Sequence, residues 1–554
     1  GTVHWYASQM DSAPTANVTL DDPFYYLHHF HEVLSWVASR HGDLLDNQEH
    51  GFVSAFAELP RPSRALLVRM VTRKGEHFRA DKLVYPEIGD AARAAAPLIA
   101  NGWLDPAPAL DLPTLFRLFT KAELRHVLRE PLAAAGVPSS ARKADWLEAL
   151  SALEEVYPAP SDTPVYHLML MPLCDRFRLM FFGNLYQDWS EFVLSDLGTF
   201  QYEPVTFSRG ARPFQTRQEV DAYLHLHACR EQFRAGAALE DVEAALPPAP
   251  DSPWARERWD RLCFKLGREW ERAGELERAG ALYQDCRHPG ARGRQLRVLE
   301  RREHYDAALT LAREAEQAPE SEAERQQLRR LLPRLHRKLG LPRPPTPPAA
   351  RPEVLHLTLP PAASVEQAVA LALATPETPV HYVENSLLPG LFGLLFWDAI
   401  FAPVPGAFFH PFQIGPADLR HPDFRRRRQA GFDAGFQALA DGGHRALILA
   451  RYREKFGRLS PFVHWGRLSE ALLEQALDCL PADHLALCFE RLLADIAANR
   501  AGLPDLIQFW PAQRRYRMIE VKGPGDRLQD NQRRWLDFFI AHGLPVAVCQ
   551  VAWQ

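Results

Sequence analysis

Residues 502–528 read GLPDLIQFWPAQRRYRMIEVKGPGDRL. Two short apolar runs, LIQFW (506–510) and RMIEVK (517–522), flank a polar turn region containing Pro511, and this pattern predicts a hairpin. Side chains alternate faces along a strand, so Glu520 and Lys522 share one face while Ile519 and Val521 turn to the other. Asp505 stands at the mouth of the first strand, where pairing through a turn of this length brings it within shared-ligand distance of Glu520. Two carboxylates held together repel unless a cation joins them. An oxygen-rich set with open positions suits Mg²⁺ or Mn²⁺, as one ion or two. Such an ion polarises a phosphodiester, acidifies a bound water and stabilises the leaving oxygen. Lys522 beside it would orient the attacking water or offset charge building on the phosphate. The residues point to metal-assisted phosphodiester hydrolysis. Taken alone, the same stretch also fits an edge hairpin with solvated charges, so the surroundings must decide.

The chain of 554 residues exceeds a single hydrophobic core and predicts three or four domains. With 47% hydrophobic and 24% charged residues it reads as globular. A formal charge of -5 does not mark a nucleic-acid binder, but residues 61–82 carry seven Lys/Arg against two acids, a local basic patch. The seven cysteines are scattered, with no C-x-x-C pair, which argues against a disulfide scaffold or a zinc site and fits a reducing cytosol. No N-terminal signal is evident. The most apolar run, LLPGLFGLLFW (387–397), is about half the roughly 20 residues a bilayer-spanning helix needs. It is expected as a buried helix, and no membrane partner is expected.

From about residue 20 to 250 apolar residues recur at helical spacing, as in FYYLHHFHEVLSWVAS and AARAAAPLIANGWL. Within 116–150, Thr120 and Glu123 have capping-box spacing, Gly136 stops a first helix, and Ser139 or Ser140 starts a second led by Arg142 and Lys143. Two short helices with a basic second start resemble the SAP motif, a small helical pair that binds the DNA backbone. Residues 255–340 pair helical periodicity with small residues where helices would touch, which resembles tetratricopeptide-type hairpins. They would serve as a spacer or as a surface for a protein partner. LPRPPTPPAARP (341–352) reads as a stiff polyproline-II linker and the clearest boundary in the chain.

With these surroundings the C-terminal stretch resembles the PD-(D/E)xK nuclease superfamily, and more narrowly its virus-type replication–repair nuclease (VRR-NUC) domain. That pattern, R-x-G-x-P-D-L-I leading to E-V-K-G-P-x-D-x-L-x-x-x-Q-x-x-W, is met by Arg500, Gly502, Pro504, Asp505, Leu506 and Ile507. It continues through Glu520, Val521, Lys522, Gly523, Pro524, Asp526, Leu528, Gln532 and Trp535. The resemblance implies a further acid from a helix ahead of the strands. Glu384, at the head of the apolar helix, is the choice, with the Val521 main-chain carbonyl as a neutral ligand. Asp398 is the competitor, but its apolar setting suits a buried structural acid. Gln532 opens the next helix and would hold a metal-bound water or a phosphate, or else pack.

The order of the segments resembles the Fanconi-anaemia-associated nuclease family over nearly the whole chain. The implied fold is multidomain: mostly α-helical N-terminal arms, SAP-like and tetratricopeptide-like, followed by an α/β PD-(D/E)xK restriction-endonuclease-like domain. The expected division is 1–110 (helical, DNA-binding), 111–152 (SAP-like), 153–250 (helical connection), 251–340 (helical repeats), 341–352 (linker) and 353–554 (nuclease). The resemblance implies a structure-selective 5′-flap endonuclease and 5′→3′ exonuclease acting on branched or flapped duplex DNA, in repair that includes unhooking of interstrand crosslinks. It implies a cytoplasmic, nucleoid-associated bacterial protein, or a nuclear one in a eukaryote. No Cys/His cluster forms the ubiquitin-binding zinc finger of eukaryotic relatives. The expected DNA grips are Arg73, Lys74 and Arg79, then Arg142 and Lys143, then Arg425 and Arg427 in the RRRR run. The alternatives are a Holliday-junction resolvase or restriction-like endonuclease of the same superfamily, and a non-catalytic repair scaffold.

Overall fold

The computed structural model describes residues 21–208, 210–349 and 351–554. They fall into two compact units, one ending at Phe200 and including 206–217, the other comprising 201–205 and 218–554.

In the first unit the predicted periodicity gives the helices Tyr25–His41, Asn47–Glu58 and Arg61–Val71, with Leu27, Phe30, Val33, Val37, Phe56 and Leu67 buried between them. A capping box at Asp46 starts the second: Asp46 accepts from the Glu49 amide at 2.8 Å while Glu49 accepts from the Asp46 amide at 3.0 Å. Short strands interrupt the helices of this mostly helical region. β1 (His77–Arg79), β2 (Leu104–Asp105) and β5 (Val165–Leu168) form one antiparallel sheet in the order β1-β5-β2. β3 (Ala109–Asp111) pairs with β4 (Val156–Pro158). Strands this short carry too few alternations to register as a period-two pattern.

In the SAP-like segment the Thr120–Glu123 capping box is present. The first helix, however, is two: Lys121–Val127 and Arg129–Ala134. Pro131 lacks an amide to donate to Val127, and its ring crowds that carbonyl, so the helix breaks one turn ahead of it. Gly136, at φ +68°, ends the pair in the left-handed region. The following helix is Lys143–Leu150 with Arg142 as N-cap, not Ser139 or Ser140. Trp146, Leu115, Phe119, Leu124 and Leu150 close its core.

The second unit contains the helices Pro253–Arg272, Leu276–Gln284, Ala291–Arg301, Tyr305–Gln317 and Glu322–Lys338, each packed on the next. Small residues do stand where helices meet: a Cβ on Gly267 would lie 2.5 Å from the Tyr283 ring. Residues 341–349, 351 and 352 carry neither helix nor strand. This boundary in sequence is not a gap in space. The last repeat helix lies against the C-terminal part through Arg330–Asp530 (2.8 Å), Arg491–Glu322 (2.6 Å) and Arg534–Gln326 (3.0 Å).

Beyond the linker, β6 (Glu353–Leu359), β7 (Val380–Tyr382), β8 (Leu506–Trp510), β9 (Arg515–Lys522) and β10 (Val546–Trp553) form a five-stranded sheet in the order β6-β10-β9-β8-β7. The predicted hairpin is the antiparallel β8–β9 pair, and β10 runs parallel to both β9 and β6. β9 is therefore central, and Ile519 and Val521 bury one of its faces against Val369 of the helix Val365–Leu373. The apolar run forms the fully buried helix Leu387–Leu395. No helix among the described residues is long and apolar enough to cross a membrane.

Candidate active site

The antiparallel register pairs Leu506 with Ile519, and one step further the same register sets Asp505 beside Glu520. The Val521 amide donates to Asp505 Oδ2 at 2.8 Å, fixing the carboxylate across the mouth of the hairpin. Both acids are buried, Glu520 to 1% exposure. Lys522, two residues on, lies with its Nζ 3.2 Å from Glu520 Oε1 and donates to Gln532 Oε1 at 3.0 Å. Gln532 accepts a second bond from the Gln529 amide at 2.9 Å, capping the helix Asp530–Ala541 and holding its own carbonyl toward the lysine.

Local sequence explains this alignment. Gly502 sits at φ +87°, and a Cβ there would fall 2.8 Å from the Asn531 carbonyl, so only glycine lets the strand entrance touch the helix start. Trp535, from the same helix, donates to the Asn499 carbonyl at 3.0 Å, and Asp526 accepts from the Gly523 amide at 2.9 Å. The glycine, aspartate, glutamine and tryptophan of the sequence pattern thus brace the strand end and the helix around the charged face.

Electrostatics at this site are unresolved by the protein itself. Burial pushes the Asp505 carboxyl up to about 6, opposed by the Val521 amide and increased by Glu384 and Glu366. Burial, then the Asp505 charge, pushes Glu520 up to about 8 despite Lys522. Glu520 Oε1 accepts no well-aligned hydrogen bond among the described residues. Two desolvated carboxylates at adjacent positions, with Glu520 Oε1 contacted among the described residues only by the Lys522 ammonium, are a donor set that fits a hard divalent cation. Bound there, such an ion would supply the charge the carboxylates lack and Lewis acidity toward a phosphodiester.

Glu384 lies in the turn between β7 and the buried helix, half-buried, and accepts a hydrogen bond from the Tyr382 hydroxyl. Its charge raises both Asp505 and Glu520, so it is near them. Yet among the described residues no three Asp, Glu, His or Cys groups gather within a metal's reach. Asp398 differs from the expectation of a buried structural acid. Its side chain is 77% exposed and pairs with Arg451 at 2.6 Å, because it falls on the outer side of the short helix Trp397–Ile400. Tyr382 and Glu366 are the site neighbours that sequence reasoning missed. The two-residue spacing of Tyr382 and Glu384 was the available signal for the first.

The expected DNA grips divide. Arg73 and Lys74 are exposed. Arg79 is not a free cation: it pairs with Asp81 (2.7 Å) and Glu123 (2.8 Å) and donates to the Leu118 carbonyl. Lys143 is likewise committed, its ammonium donating to the Phe116 (2.6 Å) and Phe119 (2.5 Å) carbonyls, where it pins the SAP-like core. Arg142 is exposed but paired with Asp145 at 3.2 Å. The RRRR run is consumed in ion pairs: Arg425 with Glu490, Arg426 with Asp423, Arg427 and Arg428 with Asp418. Sequence reasoning missed Arg125 and Arg129, which line a cleft of about 520 Å³ with His126 and Trp146. Neither arginine has a carboxylate partner among the described residues.

A mixed sheet with a central P-D…E-x-K hairpin, a lysine on the acidic face and a bracing glutamine defines a metal-dependent nuclease of the PD-(D/E)xK class. Comparisons with known proteins agree. A VRR-NUC domain model matches residues 440–553, a Fanconi anemia-associated nuclease SAP domain matches 109–160, and a FAN1 HTH domain matches 24–105. The chain is 54% identical to a Fanconi-associated nuclease 1 homolog of Pseudomonas aeruginosa, over 98% of each chain. It is 25% identical to an Oryza sativa homolog, over 95% of this chain and 62% of that protein. Two solved structures of paFAN1, bound to 2-nt and to 1-nt 5′-flap DNA with a gap, superpose with TM-scores of 0.93 and 0.92 at 55% identity. They cover 97% and 96% of this chain, and 99% and 100% of those chains. The chain therefore belongs to the Fanconi-associated nuclease family. It is a DNA-cleaving hydrolase whose VRR-NUC domain works with a divalent metal.

Proposed function

We propose that this protein is a structure-selective DNA nuclease. It cuts duplex DNA near a 5′ flap and trims 5′→3′, with Mg²⁺ or Mn²⁺ as one ion or two, in repair that includes unhooking of interstrand crosslinks. The observation that carries this reading is the buried Asp505–Glu520 pair beside Lys522, both carboxyls raised chiefly by burial, in a chain 55% identical to a protein crystallised on 5′-flap DNA. Asp505, Glu520, Glu384 and the Val521 carbonyl would hold the metal. The chemistry that metal supplies is polarisation of the phosphate and activation of water. Lys522, held by Gln532, offsets negative charge on the phosphoryl oxygens as the bond breaks, and a fixed ammonium needs no reorganisation at that moment.

In this reading residues 353–554 form the nuclease domain, and 1–110 with the SAP-like 111–152 grip duplex. Residues 153–250 connect these to the repeats of 251–340, which act as a spacer or receive a protein partner. Residues 341–352 link the repeats to the nuclease. Phosphate contacts set position without reading sequence, which suits recognition of DNA shape. Arg73, Lys74, Arg125 and Arg129 have no carboxylate partner among the described residues and are placed to make them.

The test is cleavage of a panel of 5′-flapped, 3′-flapped, nicked and four-way-junction duplexes with Mn²⁺, with Mg²⁺ and with EDTA. The expected result is metal-dependent cutting that favours the 5′ flap. Preference for the intact four-way junction, or cutting that survives EDTA, overturns the proposal.

A further inference from the structure

The third acid is held by a neighbour rather than by the strand pair. Tyr382 closes the edge strand β7, paired with Leu506 of β8, and the Val383 amide continues the pairing by donating to the Asp505 carbonyl at 2.8 Å. Tyr382 and Glu384 are two residues apart, and the tyrosine hydroxyl donates to Glu384 Oε2. The ring is 41% exposed, so it lies at the open side of the site and not in the core. Asn385, at φ +51°, accepts from the Leu503 amide at 3.1 Å and ties this turn to the entrance of β8. The turn is thereby fixed at its base, while the carboxylate of Glu384 is set by one side-chain hydrogen bond among the described residues. Among the described residues Glu384, Asp505 and Glu520 do not gather within a metal's reach, although all three interact electrostatically.

Resting on the metal-dependent reading above, we propose that Tyr382 is a positioning residue that latches Glu384 away from the Asp505–Glu520 pair until a divalent cation draws it in. The physical reason is repulsion. A third carboxylate packed against two desolvated ones raises the energy of the metal-free protein, and a hydroxyl donor two residues away offers that charge a separate partner. Completing the metal site then requires the hydroxyl to release Glu384 or to share it. The latch therefore weakens metal binding.

The test is Mn²⁺ binding without DNA, measured by titration calorimetry and by the Mn²⁺ EPR signal, on the wild type, Tyr382→Phe, Glu384→Gln and the double variant. Tyr382→Phe removes one hydroxyl from a half-exposed ring and is expected to bind Mn²⁺ about three- to tenfold more tightly, the scale of one solvent-accessible hydrogen bond. Glu384→Gln is expected to bind more weakly, and the gain from Tyr382→Phe is expected to vanish in the double variant. Unchanged or weaker binding by Tyr382→Phe overturns the latch and makes Tyr382 a support for a ligated carboxylate. A gain that persists in the Glu384→Gln background overturns it as well. Wild-type protein that binds Mn²⁺ but leaves flapped DNA uncut would sink the nuclease reading and leave the latch to be judged by binding. Wild-type protein that binds no Mn²⁺ would sink both.

Discussion

The β8–β9 hairpin and the contact of β1 with the SAP-like helices both gather charge, and they do so in opposite ways. Around Arg79 each charge has found its counterpart: Asp81 and Glu123 flank the guanidinium, and those bonds hold the Glu123 carboxyl down at about 2. Lys143 is equally settled on two carbonyls. In the hairpin, by contrast, Asp505 and Glu520 are buried side by side with one lysine, paired with Glu520, for two anions, and both carboxyls are driven up. Satisfied ionic networks specify a fold, whereas unsatisfied ones persist where something outside the chain completes them. The contrast separates structural from chemical charge in a molecule whose sequence presents both as runs of Arg, Lys, Asp and Glu.

Removing a charge on the unsatisfied side has the largest expected effect. Asp505→Ala should lower Mn²⁺-dependent cleavage by about 10³-fold or more, the consequence of losing several kcal/mol of metal-borne transition-state stabilisation. Flap binding, measured by fluorescence anisotropy, should stay close to wild type. Full retention of cleavage would erase the distinction. Lys522→Ala comes next, with kcat falling roughly 10²-fold and little change in DNA affinity. An effect mainly on affinity would assign the lysine to binding.

The pH dependence of the metal-free protein sharpens the same comparison. Glu520 titrates near 8 in the folded chain against an ordinary 4.5, so between these values the folded state holds more protons than the unfolded one. Metal-free stability should therefore decline as pH rises from about 4.5 toward about 8, and Mn²⁺ should restore it at the upper end. Glu520→Gln should flatten this decline in urea melts. A slope unchanged by the substitution would place the proton uptake elsewhere.

The smallest effects belong to the cleft cations. Arg125→Ala and Arg129→Ala should each weaken flap binding a few-fold and reduce the slope of log affinity against log salt by about one. Arg79→Ala should instead lower the melting temperature and leave that slope intact. Equal effects on the slope would show that pairing does not sort the two kinds of arginine.

Much of the candidate site's geometry was legible because it follows from alternation and register. Glu520 and Lys522 share a face by spacing alone, and the hairpin that sets Asp505 beside Glu520 is marked by two apolar runs around Pro511. The family pattern pointed to Gly502, Gln532 and Trp535, but their work becomes visible only in the packing of the strand entrance against the helix start. Asp398 was misjudged because an acid beside apolar residues in sequence can still fall on the outer side of a helix.

The sequence by itself determined the strand pair, its acids and lysine, the buried apolar helix and the helical repeats, since each rests on local periodicity or spacing. Only the tertiary structure decided which cations are free, where the Pro131 break falls, that the repeats lie against the C-terminal part across the linker, and that Tyr382 holds Glu384. The reason is that a charge's availability depends on partners distant in the chain. Arg79 and Glu123, or Lys522 and Gln532, meet through packing that no spacing rule encodes.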